Sequence, residues 1–358
     1  MIELFIEKII STLMKACKMK RLVLLLIPIL IWGASCNRDV KSKEEIVYLF
    51  TPPEPGDVYV SGIDEDNVLP INKAILWKNC EKQILYDGTL YSEANSVFVK
   101  ESNVYVAGSI GNNAVLWIDG VAQNLSEGAA KSVYAVENYI YVAGYEINKH
   151  GNHVATVWVN GAAQNLSDET MNAEAISIYA FEGDVYVAGR KLNDQNTQSG
   201  EIWIAALWKN GVAQNLSNDN SAIASVFFSG GDVYIVRSVE NYYAVSIWKN
   251  GEERKITDDL YRGYYEISSL FVSDKDVYVL GHQYPRNALT RCIFWKNGEV
   301  QISCSEGSFH SIYVTGDGNT YAAGKPVGSN ATLWKNGISQ ELPGKHPHSC
   351  AYSVFVVE

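Results

Sequence analysis

Residues 184–189, DVYVAG, and residues 205–217, AALWKNGVAQNLS, spell apolar runs followed by a polar one, divided by turn chemistry, and the same text returns along the chain. Trp77, Trp117, Trp158, Trp208, Trp248, Trp295 and Trp334 mark seven copies, at spacings of 40, 41, 50, 40, 47 and 39 residues. We number the copies one to seven by these tryptophans. A period in this range, built from short runs rich in Val, Tyr, Phe and Ile, predicts an all-β propeller or solenoid. Each copy holds four such runs, hence four strands. Asn-Gly joins the third to the fourth because both residues accept positive φ at little cost. Cys80 stands where that Gly belongs in copy one, so a different turn is expected there.

The first two runs, such as Val97-Phe98-Val99 and Val185-Tyr186-Val187-Ala188-Gly189, are apolar at nearly every position. Both faces of those strands are therefore expected to be buried, while the more polar fourth run suits an outer edge. A β-solenoid would need capping ends, and these termini instead look like parts of one sheet. In copies two to six a serine lies eight residues before the second run: Ser96 to Val104, Ser132 to Ile140, Ser177 to Val185, Ser225 to Val233, Ser269 to Val277. Counting back from Val58 reaches Phe50, followed by Thr51-Pro52-Pro53-Glu54-Pro55. Proline donates no ladder bond and does not belong in an inner strand. The missing strand is expected at the other end, where residues 351–356, AYSVFV, match residues 94–99, ANSVFV. The expected fold is all-β: a seven-bladed β-propeller of four-stranded antiparallel blades over residues 57–358, its ring closed by the C-terminal strand.

The pattern resembles the kelch-type and related β-propeller repeats over Val58 to Glu358, with a small-residue turn after the second strand and an aromatic late in each unit. It departs from them in having Ala-Gly (Ala107-Gly108, Ala143-Gly144, Ala188-Gly189) where kelch blades carry Gly-Gly, and Trp in the third strand instead of the fourth. The resemblance implies fold and blade order and transfers no activity. The chain also looks similar to secreted bacterial propellers with L-W-K-N-G repeats, which implies binding more than catalysis.

Met19-Lys20-Arg21, the eleven residues Leu22 to Trp32 and then Gly33-Ala34-Ser35-Cys36 have the charged, apolar and small-residue regions of a signal peptide. Residues 1–35 are expected to be removed, with Cys36 the lipid-modified end, as in a bacterial lipobox; a cleaved signal without lipid is the alternative. The apolar run is short of the roughly 20 residues that span a bilayer. Residues 36–56 read as a tether. The expected address is the bacterial cell envelope, as an outer-membrane lipoprotein. Net charge is −11, and without residues 1–35 it is −14, from 24 basic against 38 acidic residues. So acidic a chain is a poor partner for nucleic acid. Of the cysteines outside the leader and anchor, Cys292 and Cys304 are expected on adjacent strands, offset by about one position.

Turns one-to-two and three-to-four are uniform across the copies, whereas connections two-to-three and four-to-one vary, and in an antiparallel blade those emerge on one face. Variable loops on a repeated scaffold are the usual place for recognition. Tyr145, Arg190, Arg237, His282 and Lys325, at or just after the second strand of copies three to seven, are expected around the mouth on that face. They suggest an anion or carboxylate site, since guanidinium pairs with such groups bidentately. Asp258, Asp259, Tyr261, Tyr264 and Tyr265 are expected on its rim, where tyrosines suit proteins or sugars. Residues 191–201 are a candidate lid. Metal ligation is not expected: His346/His348 and His150/His153 lack a third ligand, and Asp64-Glu65-Asp66 lacks a calcium-loop pattern.

No G-x-S-x-G, H-E-x-x-H, P-loop or G-x-G-x-x-G pattern is present. No cofactor is expected, and a monomer is. The reading favours a non-catalytic binding module for a protein or carbohydrate ligand on the variable face. Its alternatives are a polysaccharide hydrolase or lyase using carboxylates there, and a structural subunit of an envelope complex.

Overall fold

The computed structural model describes residues 50–358 apart from 66–70, 194–201, 217–220, 240–242, 258–262, 274–275, 286–289, 306 and 345–347. The leader, Cys36 and most of the tether lie outside the described residues. Among those described, the regular elements are all strands. Copy four is typical: Ala173–Phe181, Asp184–Leu192, Trp203–Lys209 and Val212–Asn215 lie side by side in that order, each pair antiparallel. Copies five, six and seven repeat this sheet. Copies two and three share one seven-stranded sheet, because Val121–Val136 runs on without a break. As far as Glu127 it pairs with Asn113–Ile118, and from Gly128 with Tyr139–Ile147. The sheet of copy one takes its first strand from the far end of the chain: Cys350–Val356 pairs antiparallel with Val58–Glu65, Val58 opposite Val356. Val354 and Val356 are buried there, a contribution of roughly 1.5 to 3 kcal/mol each.

Each tryptophan packs on the preceding copy. Trp117 lies with Tyr59, Ala74 and Leu76 of copy one, Trp208 with Ala143, Ala155 and Val157 of copy three, and Trp77 with Tyr321, Leu333 and Leu342 of copy seven. Five are fully buried; Trp248 and Trp334 are half-buried. Beside Trp334 lies an apolar cavity of about 180 Å3, lined by Ala322 and Thr320. Ala322 faces that tryptophan in register where other copies place Val106, Val142, Val187, Ile235 or Val279.

The first and second strands of every copy share one irregularity. Their register slips by a residue just before the serine, as between Ala94 and Ser96 or Ala175 and Ser177. The slip brings the first strand's carbonyl onto the glycine of Ala-Gly: a Cβ would stand 1.9 Å from the Glu93 oxygen at Gly108 and 2.0 Å from the Glu174 oxygen at Gly189. Close backbone approach, and not positive φ, requires Gly here. The serines bond from copy to copy. Ser96 accepts the N–H of Val133, Ser177 that of Val226, Ser269 that of Ile312, Ser311 that of Val354 and Ser353 that of Val97, at 3.1–3.3 Å.

The Lys-Asn pair of W-K-N-G ties the opposite end of each sheet. In copies one, four, five and six, Asn79, Asn210, Asn250 and Asn297 take φ near 50° and accept an N–H at the start of the second strand (Val58, Val185, Val233, Val277) at 2.8–2.9 Å. Their amides donate to Asp57, Asp184, Asp232 and Asp276. Lys78, Lys209, Lys249 and Lys296 pair with the same carboxylates at 2.6–2.8 Å and lie over Tyr59, Tyr186, Tyr234 and Tyr278. Copies two and three keep the cap through Asp119 and Asn160 but carry Ile118 and Val159 in place of Lys.

Two expectations are corrected. Copy one does not turn differently, because Cys80 adopts φ 67°, the left-handed conformation its glycine counterparts hold. Cys292 and Cys304 are not offset: a bulge between Phe294 and Trp295 passes over Gln301 and puts the two cysteines opposite each other.

Candidate functional site

Two residues beyond each serine stands an aromatic ring, and these rings stack in sequence. Phe98 meets Tyr134 at 4.8 Å between centroids, Tyr134 meets Tyr179 at 4.5 Å, Tyr179 meets Phe227 at 5.2 Å, and Phe227 meets Phe271 at 4.8 Å. Phe271 meets Tyr313 at 4.9 Å, Tyr313 meets Phe355 at 5.1 Å, and Phe355 meets Phe98 at 5.0 Å. The seven contacts form a collar that returns from Phe355 to Phe98.

Toward the variable loops the first and second strands put two residues of each copy face to face. Glu93 stands opposite Ser109, Ala129 opposite Tyr145, Glu174 opposite Arg190, Glu266 opposite His282 and Ser308 opposite Lys325. Tyr145, Arg190, His282 and Lys325 thus occupy one row. Arg237 does not belong to it. It pairs with Ile223, in the position that other copies give to Gly, and Ser238 holds the row instead. Its guanidinium is buried and turned to the outer strand, donating to Glu253 Oε1 and Oε2 at 2.9 and 2.7 Å. One residue of register reverses the face of a strand side chain, which moves Arg237 off the mouth.

Arg190 holds its place in the row but is already engaged. Its Nε and a terminal nitrogen donate to Glu174 Oε2 at 2.9 and 2.8 Å, and its plane lies 4.4 Å from the Trp203 ring. His153 Nδ1 sits 2.9 Å from the other Glu174 oxygen and stacks on Tyr145 at 3.9 Å. Burial pushes the Glu174 carboxyl up, but the Arg190 charge with bonds from His153 and Arg190 outweighs it and holds the group below the usual carboxylate range. Glu93 follows the same logic: burial is outweighed by the Lys131 charge and by bonds from Asn95 and Tyr91. Its Oε1 receives Asn95 at 3.0 Å and Lys131 at 3.4 Å.

His282 is buried between copies six and seven. Its Nε2 accepts the Phe309 N–H at 3.0 Å, which assigns the ring proton to Nδ1, 3.4 Å from Ser268 Oγ. Burial depresses its basicity against the pull of Glu266. His310 lies 6.1 Å from it, edge-on to Tyr352, and burial with the neighbouring His282 pushes its pKa down to about 4. Lys325 is half-buried, its charge opposing the burial that raises the Cys350 thiol to about 11.

A cavity of about 520 Å3 opens beside this row across copies four to six, lined among others by Ile176, Arg190, Ser238, Tyr264, Glu266 and Tyr284. Tyr264, half exposed, stacks on Tyr243 at 5.0 Å, and the Tyr284 hydroxyl donates to Glu266 Oε2 at 2.8 Å. Tyr265, expected on the rim, touches the cavity but is buried against Trp295, because alternation turns it inward where Tyr264 points out. Asp258, Asp259, Tyr261 and most of the candidate lid lie outside the described residues. Among those described, no group of three His, Cys, Asp or Glu residues is placed to hold a metal.

The sequence reading missed Glu174, Glu266 and Tyr284, and weighed His153 only as a metal ligand. The signal was present: three positions before the serine, alternate copies two, four and six carry Glu93, Glu174 and Glu266.

No protein-family model matches this chain, and no curated protein matches it either. Solved structures do. The β-propeller domain of the trilobed protease from Pyrococcus furiosus, described by its open velcro topology, is 10% identical with TM-score 0.52, over 82% of this chain and 94% of that one. A Pyrococcus horikoshii acylaminoacyl peptidase is 14% identical with TM-score 0.51, and a puromycin-hydrolysing peptidase of Mycobacterium tuberculosis 8% identical with TM-score 0.55. This chain, over 82% of its length, spans about half (52%) of each of those two peptidases. At such identities the likeness carries fold alone, and the fold is a β-propeller.

Proposed function

We propose that this chain is an exported, lipid-anchored propeller of seven blades, over residues 57–358, that holds a glycan or protein ligand at its mouth without processing it. The seven-stranded sheet counts as two blades sharing one long strand. Ring closure is supported by the aromatic collar, which returns from Phe355 to Phe98, and by the Ser353 bond to Val97. The C-terminal strand supplies the join, beside Val58–Glu65.

The observation that carries the binding reading is the mouth cavity, with exposed tyrosines on its wall and hydrogen-bonding groups around them. Phenol rings give amphipathic area to a sugar face or a peptide. The anion reading loses ground, since Glu174 already compensates Arg190 and Arg237 is elsewhere. The hydrolase reading draws on the three glutamates at one register. Glycoside hydrolysis requires a carboxylic acid kept protonated by a raised pKa. Glu93 and Glu174 are shifted the opposite way. Passing the full chain in detergent over a glycan panel tests the assignment. Retention without product is expected, whereas cleaved product would make the protein an enzyme. Lipid attachment at Cys36 has its own check: fatty-acid labelling that persists in Cys36→Ser would refute it.

A further inference from the structure

We propose that the mouth cavity takes an amino sugar, with its protonated amine on Glu266 and its ring face on Tyr264 and Tyr284. The inference rests on the binding reading above and narrows it. Two charged side chains line the cavity, and they are not equivalent. Arg190 is compensated by Glu174 and covered by Trp203. Glu266 is exposed, accepts from the Tyr284 hydroxyl, and has no cation paired with it among the described residues. The neighbouring His282 does not fill that role, since its Nε2 is occupied by a backbone N–H. A carboxylate left uncompensated beside aromatic faces attracts a cation, both by its charge and by the negative faces of the rings. The acidity of the whole chain works in the same direction during approach.

The rest of the wall favours a sugar over a bare amine. Tyr264 and Tyr284, 51% and 40% exposed, present flat apolar area to a pyranose C–H face. Ser238, Ser268 and the phenol hydroxyls place hydrogen-bonding groups around it. About 520 Å3 lies within the roughly 300–1,000 Å3 of small-ligand sites, and is room for one or two rings.

The test titrates the full chain in detergent, at mildly acidic pH, with a glucosamine trisaccharide and with its N-acetylated counterpart, which differ in amine charge. The free-amine sugar is expected to bind at least ~10-fold tighter, a preference worth about 1.4 kcal/mol. Glu266→Gln should abolish that preference, and Tyr264→Ala should weaken binding of both sugars. Equal affinities in the native protein, a preference that survives Glu266→Gln, or a lysine peptide that outcompetes the sugar would overturn the proposal. If the two sugars bind alike and both depend on Tyr264, the amine assignment falls and the mouth reading stands. If binding of every glycan ignores Tyr264, both fall.

Discussion

The two ends of each sheet obey different rules. At the Asn-Gly end, four copies carry the same Asp-Tyr-Lys-Asn network within 0.2 Å of one another in Lys–Asp separation. At the mouth end, one register row holds Ser109, Tyr145, Arg190, Ser238, His282 and Lys325, with no two neighbours alike. The backbone is equally regular at both ends, slip and serine included. The Asn-Gly end is constrained by a turn that every copy must make, whereas the varied row lies beyond the slip, where side chains share no common partner. Repetition therefore marks scaffold, and the varied row is where the proposed ligand site lies.

That contrast predicts that changes to the repeated features move stability, and changes to the row move binding. The largest effect should come from deleting Ser349–Glu358, which strips the first strand from copy one and exposes Tyr59 and Val60. An aggregating or molten product is expected, read by loss of near-ultraviolet circular dichroism; an unchanged melting temperature would break the scheme. Gly189→Val comes next. Its Cβ would meet the Glu174 carbonyl at 2.0 Å, and a loss of about 2–4 kcal/mol in urea unfolding is expected.

His310 links the ends of the scale, being a mouth residue that carries stability. Its folded pKa, about 4, is below the ordinary value, so its neutral form stabilises the fold above pH 6.5 and that contribution is lost as pH falls from 6.5 toward 4. Stability should decline in that window by up to about 3 kcal/mol in the native protein, and His310→Gln should flatten the curve. Cys80→Gly should act in the opposite direction, relieving a left-handed residue at φ 67° and stabilising copy one by about 1 kcal/mol. Smallest on stability is Tyr264→Ala, expected within about 0.5 kcal/mol of native by thermal melt while ligand affinity drops.

The sequence was legible wherever a feature recurred. Serine spacing and the match of AYSVFV to ANSVFV put the absent strand at the C-terminus beside Val58, and Cys350–Val356 pairs there. Periodic tryptophan correctly meant packing. Single deviations were harder to place. Arg237 looked like a mouth residue because it follows the second strand's apolar run, but it stands where other copies carry Gly, one residue before the row, and strand alternation turns it outward. Cys292 and Cys304 misled for a different reason, a bulge that counting cannot see. Glu174 and Glu266 were passed over because their strand reads as structural, and only copy-to-copy comparison sets them beside Glu93. Whether a charge is compensated is invisible at that level: among the described residues Arg190 is paired with Glu174 while Glu266 has no cation beside it, which only folding decides.

Hydrogen–deuterium exchange of the intact chain, followed at the peptide spanning Cys350–Val356, tests ring closure most directly. If that strand completes the sheet, its amides should be protected to the same degree as those of Val58–Glu65 and lose protection only with global unfolding. Complete exchange of the C-terminal peptide at the earliest time point, with Val58–Glu65 still protected, would contradict the closed propeller.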